Sequence, residues 1–538
     1  MIPFLFRQSL YHLVFTLFFS ALAGISSTLI LILVHQGLRL FPDISPHYIG
    51  LLMMSCLGYV GFYILSDYIL TVFSTQFIKE IQIKLSNQIA HSHLSSIERI
   101  PKATLYGIFQ YDCKIISDTL QLIPKMMVNL FIIVGCFVYL AYLSVPLFII
   151  FASAFGVMLL MYLLLNVYLQ PKQHHIRSLL DRIIHQFHSL LSGIKELQLS
   201  VLKRFYFIHD LLSPTTSLYK HHGIRINFWL SFFQRFIQVM LYIIIGVLII
   251  TPHFLGLDID GAVITGFIMV ALFVINPIEI LLSFFSLAAP FFSSIKSIQS
   301  ISNSLTSDSN LMLHHPIAKV PMGHVAQLRL TNIAYRYLSR ETTHVFRLGP
   351  INLTISSGEL TYIVGGNGSG KTTLAKLISG LYIPETGHFT LNDADINHDN
   401  IYWYRDHFSV IFSDFHLFDD LLEIDQVDKT RVDRYLSLMQ LSHKVQFHNG
   451  RFSTTTLSDG QRKRLALIVA FLQDRPIYLF DEWASDQDPE FKDVFYHTLL
   501  PDLKKQNKVV IVITHDDFYF HTADRMIDLR DGQLIDHS

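Results

Sequence analysis

The stretch "LTYIVGGNGSGKTTLAKLISG", residues 360–380, decides the reading of this chain. A β-branched apolar run leads into a glycine-rich turn, and the turn into a helical pattern. Gly365, Gly370, Lys371 and Thr372 satisfy G-x-x-x-x-G-K-[ST]. Backbone N–H groups across Gly365, Gly366, Asn367, Gly368, Ser369 and Gly370 can curl around phosphate oxygens. The helix N-terminus at Lys371, Thr372 and Thr373 adds a dipole that favours anions. Lys371 is placed to reach the β- and γ-phosphates, and the Thr372 hydroxyl to ligate Mg2+. A nucleoside triphosphate with Mg2+ is therefore the expected ligand.

A second stretch, "YLFDEWASDQDPEF" at 478–491, sets acids beside an apolar strand pattern. Unpaired buried acids are costly unless a cation or a water to be deprotonated sits there. Asp481 is expected to support the magnesium, and Glu482 to orient and deprotonate the water that attacks the γ-phosphate. Asp486 and Glu490 read as a solvated helix start, where the dipole favours negative charge.

The surroundings of this ATP-type site are strongly apolar. Of 538 residues 51% are hydrophobic and 15% charged, against about 25% charged in a soluble domain, which points to a large lipid-facing share. A net charge of −1 does not suggest nucleic acid. Cys56, Cys113 and Cys136 show neither disulfide nor zinc spacing, and the histidine pairs 174–175, 221–222 and 314–315 read as loop and helix-end residues. Crossing a bilayer takes about 20 apolar residues. Six stretches qualify or nearly so: 10–34, 48–73, 128–144, 146–169, 236–251 and 262–287. The first runs on to Val34, too long for a signal peptide.

Lys and Arg crowd 74–127 and 170–227, whereas the other side carries little beyond Arg39, so both long loops and both chain ends are expected in the cytoplasm. Helical spacing in "IKEIQIKLSNQIAHSHL" predicts that the membrane helices continue into those loops. Three helix charges, Asp67, Arg235 and Glu279, fall in or near apolar segments. They are expected to snorkel, or else, for Arg235 and Glu279, to line a cavity beside a helix loosened at Asn276–Pro277.

The predicted division is a membrane domain over 1–300, a polar linker over 301–326 and an ATPase domain over 327–538. In the last, short β-rich runs such as "AQLRLTNIAYRY", "IYLFDE" and "KVVIVITHDD" alternate with helical patterns, the mark of an α/β domain with a largely parallel sheet.

A P-loop alone leaves kinases, GTPases and other ATPases open. "TLSDGQRKRLALIVAFLQDRPIYLFDE" narrows the choice, because Leu457, Ser458, Asp459, Gly460 and Gln461 resemble the signature turn of ATP-binding cassette (ABC) proteins, with Asp459 where glycine is usual. The resemblance implies that Ser458, Gly460 and Gln461 cap ATP held by a partner's P-loop. It implies that His515 is the switch histidine, that Tyr337 stacks on adenine, and that Ser485 to Asp488 join the two cassettes. In "VIFSDFHLFDDLL" Ser413 stands at the usual glutamine position, where it could touch magnesium or its water.

The whole chain thus resembles an ABC exporter half-transporter, a polytopic α-helical membrane domain of six transmembrane helices fused to an α/β P-loop ATPase. "DEWASDQDPEF", "FSDFHLFD" and "SGIKELQLS" are similar to the cyclic-peptide exporter branch, which handles siderophore peptides, lipopeptides and microcins. The resemblance implies a homodimer in the bacterial inner membrane, ATP and Mg2+ as cofactors, a peptide-like substrate, and a cytoplasmic coupling elbow near 193–197. Lipid or multidrug export is the alternative, and an ATP-gated channel or regulator a further one.

Overall fold

A computed structural model describes residues 10–41, 43–255, 259–309, 325–337, 346–421 and 428–537. The chain divides into two compact units, Met1–Ala90 with Ile100–Ser304, and His91–Arg99 with Leu305–Ser538.

The first unit is helical. Its principal helices are α1 (Leu10–Leu40) and α2 (Pro46–His91), and the second unit then claims the short α3 (Leu94–Glu98). After it come α4 (Cys113–Leu143), α5 (Val145–Ser192), the short α6 (Ile194–Leu199), α7 (Ser213–Leu255) and α8 (Gly261–Ser309). Among the described residues six helices are long and apolar enough to cross a membrane. At 1.5 Å per residue the 46 residues of α2 extend about 70 Å, far beyond a hydrocarbon core of about 30 Å. Large apolar side chains on α2 such as Met54 and Leu57 are exposed, as a lipid-facing surface requires. Helix α8 runs unbroken through Pro277 and Pro290 to Ser309, past residue 300 where the linker was expected to begin. Most of that linker, with His314 and His315, lies outside the described residues.

Two features lock these helices together. Small residues let backbones approach, since a Cβ on Gly24 would lie 2.4 Å from Phe131 Cβ and one on Gly135 2.4 Å from Thr28 Oγ1. Polar groups then bond across helices. His35 Nε2 donates to the Ala262 carbonyl at 2.8 Å, so its Nδ1 accepts from the Tyr139 hydroxyl at 2.5 Å. Asp112, buried, pairs with Arg177 and accepts from the Ser294 hydroxyl at 2.7 Å, while Arg177 also donates to Ser293 at 2.8 Å. Asp112 sits in a wide π turn, Ile108–Asp112, where Cys113 N–H reaches back to the Ile108 carbonyl; a second such turn spans Phe207–Leu212.

The charges singled out in the sequence are less enclosed than Asp112. Arg235 is exposed and bonds Gln238 of its own helix at 3.0 Å, and Asp67 and Glu279 are half-buried. The histidine pairs 174–175 and 221–222 stand in the interior of α5 and α7 rather than in loops or at helix ends, with the His175 and His222 rings 5.0 Å apart. Their polar composition suggests a loop, but a long helix tolerates histidine on an exposed face. Among the described residues no cluster of His, Cys, Asp and Glu could hold a metal, and all three cysteines are free.

The second unit carries two main sheets. The strands are β1 (Gln327–Tyr337), β2 (Phe346–Ser356), β3 (Leu360–Val364), β4 (Thr386–Leu391), β5 (Ala394–Ile396) and β6 (Phe408–Ile411). They continue with β7 (Phe447–His448), β8 (Arg451–Phe452), β9 (Ile477–Asp481), β10 (Val509–Ile513), β11 (Arg525–Arg530) and β12 (Gln533–His537). An antiparallel sheet has the order β2-β1-β4-β5; the other, β12-β11-β3-β10-β9-β6, is parallel except for β12. Period-two alternation gives the parallel sheet two cores. Tyr362, Tyr478, Phe480, Val510 and Val512 face one, with helix α10 (Asp459–Gln473, numbered after α9, Lys371–Ile378). Ile363, Ile477, Leu479, Ile511 and Ile513 face the other, with α9 and the antiparallel sheet. Burial on both faces explains why these strands read as continuous apolar runs. In this unit Glu98 of α3 accepts from Lys376 at 2.8 Å and from the Tyr382 hydroxyl.

The Asp112–Arg177 pair gives a test. Asp112→Ala leaves a largely buried guanidinium without its carboxylate and should cost about 3–5 kcal/mol, read as a lowered unfolding midpoint of the purified protein. Asp112→Leu with Arg177→Met should recover most of that loss; a double variant no more stable than Asp112→Ala would refute the pair as the cause.

Candidate ATP site

Parallel strands end on one side of their sheet, and the candidate residues collect at those ends. Strand β3 delivers the turn Gly365–Gly370, β9 delivers Asp481 and Glu482, and β10 leads to His515; Ile513 lies in register with both Ile363 and Asp481. At two points of the turn both the backbone and the space around it call for glycine. Gly365 has φ +148° and a Cβ there would sit 2.3 Å from the Leu529 carbonyl oxygen, while Gly370 has φ +104° and its Cβ would meet the Phe346 ring at 2.8 Å. Gly366, Asn367 and Gly368 are exposed at the crest, with Ser369 buried beneath.

Lys371 opens α9 and is buried; its ammonium donates to the carbonyls of Gly365 and Gly366 at 3.1 and 3.0 Å. Burial pulls its pKa down, against the attraction of Glu482 and Asp481. Asp481 is fully buried and neither carboxylate oxygen has a hydrogen-bond partner. Burial raises its pKa, with neighbouring Glu482 adding to the effect. The Thr372 hydroxyl, the Ser413 backbone N–H and Lys371 pull the other way without satisfying it. A buried carboxylate with free oxygens facing a threonine hydroxyl is a hard-oxygen set that fits Mg2+ held jointly with phosphates. Ser413 is exposed, and its backbone N–H is the group turned to Asp481.

Glu482 follows the strand with a left-handed backbone, φ +53°, and its carboxylate lies 3.2 Å from His515 Nε2. Both side chains remain partly exposed, Glu482 by 36% and His515 by 43%, so water and nucleotide can reach them. Tyr337 ends β1 with its ring exposed, as a stacking platform must be. The turn of Ser458, Gly460 and Gln461 begins α10 with Ser458 exposed. Asp459 points to solvent, 85% exposed and 3.6 Å from Arg462, and does not crowd that turn.

Asp486 differs from the solvated helix start expected of it. Its carboxylate meets buried Lys463 at 2.7 Å, while Asp488 caps the following helix, α11 (Pro489–Val494), through the Phe491 N–H. Lys463 was missed in the sequence because it lies in a basic run, yet its spacing to Leu467 and Ala470 puts it on the buried face of α10.

Comparison with known proteins agrees with this geometry. Residues 348–485 match the ABC transporter family. The chain is 34% identical over 541 residues to the ATP-binding protein SyrD of Pseudomonas syringae pv. syringae, covering 97% of this chain and 93% of that protein. It is 32% identical over 220 residues to the macrolide export ATP-binding/permease protein MacB of Pectobacterium atrosepticum, 39% of this chain and 34% of MacB. Human ATP-binding cassette sub-family B member 5 is 29% identical over 218 residues, 38% of this chain and 17% of that protein.

The raised Asp481 carboxyl makes a signed prediction. Its ionised form costs the nucleotide-free folded state stability as pH rises above the ordinary carboxylate range, and the cost is absent below it. Asp481→Asn should therefore raise the unfolding midpoint near neutral pH, with the gain fading below about pH 4. The same variant should lose the stabilisation that Mg2+ and ATP add together. A nucleotide-free midpoint that falls at neutral pH would contradict the assignment.

Proposed function

The chain belongs to the ABC transporter family, and from that premise we propose a homodimeric exporter of the bacterial inner membrane that moves a peptide-like cargo, a cyclic peptide or peptide siderophore. The coarser statement is secure: this is a multi-pass membrane ATPase whose hydrolysis is coupled to transport. The observation that carries the proposal is likeness to SyrD across both units, not across the cassette alone. The cyclic-peptide cargo rests on the resemblance of "DEWASDQDPEF", "FSDFHLFD" and "SGIKELQLS". Similarity to the macrolide export protein MacB is confined to under half of the chain, so it bears on the motor and not on the cargo.

In this reading Tyr337 and the turn Gly365–Thr373 bind one ATP, and Lys371 leaves its carbonyl partners for the phosphates. Thr372 and Asp481 would hold Mg2+, with the Ser413 hydroxyl, rather than the N–H that faces Asp481, as a further oxygen for the ion or its water, and the ion would supply charge neutralisation at the phosphates. Glu482 orients the attacking water and takes its proton, and His515 holds the Glu482 carboxylate and senses the γ-phosphate. Ser458, Gly460 and Gln461 cap the nucleotide of the partner, so each composite site draws on two chains. ATP binding shifts the population toward the clamped, outward-facing state, and hydrolysis returns it.

Glu482→Gln should bind ATP and hydrolyse it about 10²–10⁴-fold more slowly, leaving nucleotide trapped in the purified dimer. Near-normal turnover would remove Glu482 from this role. Mixing Lys371→Ala chains with Ser458→Arg chains, each inactive alone, should restore hydrolysis through heterodimers with one intact site. No recovery on mixing would mean that the site forms within one chain. In proteoliposomes a cyclic lipopeptide should stimulate hydrolysis where a macrolide or a phospholipid does not; the reverse order would favour the drug or lipid alternative.

A further inference from the structure

The segment after the acidic strand is fastened to the helix behind the signature turn. Lys463 of α10 is 4% exposed and spends all three ammonium protons there. It donates to the Glu482 carbonyl at 2.8 Å, to the Ser485 hydroxyl at 2.9 Å and to Asp486 Oδ2 at 2.7 Å. The Trp483 indole N–H returns a bond to the Lys463 carbonyl at 2.8 Å. One turn away, Gln487 donates to the Gly460 carbonyl at 3.0 Å, and Arg464 bonds Gln487 and Asp488, each at 2.9 Å. A Cβ on Gly460 would lie 2.7 Å from the Asp486 carbonyl oxygen, so the signature turn and this segment touch backbone to backbone.

Glu482 itself has a left-handed backbone, which costs a non-glycine residue energy and persists only where surroundings hold it. Its carbonyl is held by Lys463 and its N–H by the Ile513 carbonyl at 3.0 Å. Lys463 is the one side chain here that joins the start of α10 to the main chain of Glu482 and to both Ser485 and Asp486.

We propose that Lys463 is a positioning residue that couples the two half-sites of each cassette: displacement of α10, when Ser458 engages the partner's ATP, is passed through the ammonium to the backbone of Glu482. This rests on the composite, two-chain site described above. A buried lysine suits the task because its three bonds are charge-assisted, and its removal leaves the Glu482 carbonyl held only by the neighbouring Ser485 hydroxyl at 2.8 Å and N–H at 3.3 Å, neither of which reaches α10.

The test uses full-length protein in lipid nanodiscs with Mg2+ and ATP. Lys463→Met should lower kcat about 10- to 100-fold, with KM for ATP within about threefold of the unmodified protein, as expected for misplacement rather than lost binding. Cooperativity in ATP should disappear. Lys463→Arg keeps the donors and should recover turnover to within about threefold. Asp486→Asn, at a half-exposed carboxylate, folds even if Lys463→Met does not, and should lower kcat and cooperativity without raising KM. Unchanged turnover and cooperativity in Lys463→Met or Asp486→Asn would overturn the proposal. So would equal losses in Met and Arg variants accompanied by a raised KM, the mark of a merely structural role. Equilibrium binding of a fluorescent ATP analogue separates this from the role of Glu482. Binding cooperativity in a Glu482→Gln background should be lost on adding Lys463→Met, whether or not Glu482 is the base.

Discussion

Asp481 sets the terms for the ATPase unit. A carboxylate with both oxygens buried and unbonded is among the most expensive groups a core can hold, and the fold places it at the end of β9 nonetheless. What sustains it is the parallel sheet, whose two apolar cores pin β9 between β10 and β6 and leave no room for the strand end to turn outward. The same register delivers the glycine turn after β3 and His515 after β10 to the one edge where Asp481 sits. Lys371, with its proton affinity lowered by burial, waits on two backbone carbonyls a short reach from that carboxylate. The empty-handed acid and the lysine held only by carbonyls are complementary halves of one site, which the proposed nucleotide and divalent cation would complete together.

Much of this was legible because it is local. Gly365, Gly370, Lys371 and Thr372 lie within one turn and one helix start, so spacing alone constrains them, and the apolar run before Asp481 marks a strand whatever its neighbours are. Six membrane helices are equally legible, since length and hydropathy decide them without any partner. Long-range pairs are a different matter. Nothing near Asp112 announces Arg177, 65 positions away, or the serines of α8 that complete the knot. Arg235, conspicuous beside an apolar run, is exposed and bonds Gln238 of its own helix, whereas Asp112, inconspicuous in its stretch of sequence, becomes buried through helix packing. Composition misled in the same way for His174–His175 and His221–His222: polar pairs suggest a break, but helix propagation across α5 and α7 is carried by the flanking pattern.

Lys463 and Asp459 show how neighbouring charges in one helix can take opposite places. Four residues span one turn, so Asp459 and Lys463 begin from nearly the same direction, yet one points into solvent beside Arg462 and the other into the core beneath Glu482. Asp459 turns away from the segment that packs on Gly460, toward solvent, while Lys463 is enclosed beneath Glu482 and Trp483. A run of basic residues is thus not one electrostatic feature but a mixture of exposed and structural cations.

The two π turns, Ile108–Asp112 and Phe207–Leu212, have a consequence for chain length. Each accommodates one residue more than an α-helical turn while the helix on either side keeps its phase. A single-residue deletion inside Phe207–Leu212 would therefore tighten the turn and leave both flanking faces pointing as before, whereas the same deletion within α7, which follows it, would rotate everything beyond it by about 100°. The first turn has no such freedom at its last position, because Asp112 is the residue that Arg177 and Ser294 reach for. The two wide turns are thus alike in geometry and unlike in how they are held: the first through the Asp112 side chain, the second through its main chain, where Gln186 donates to the Leu211 carbonyl at 3.1 Å.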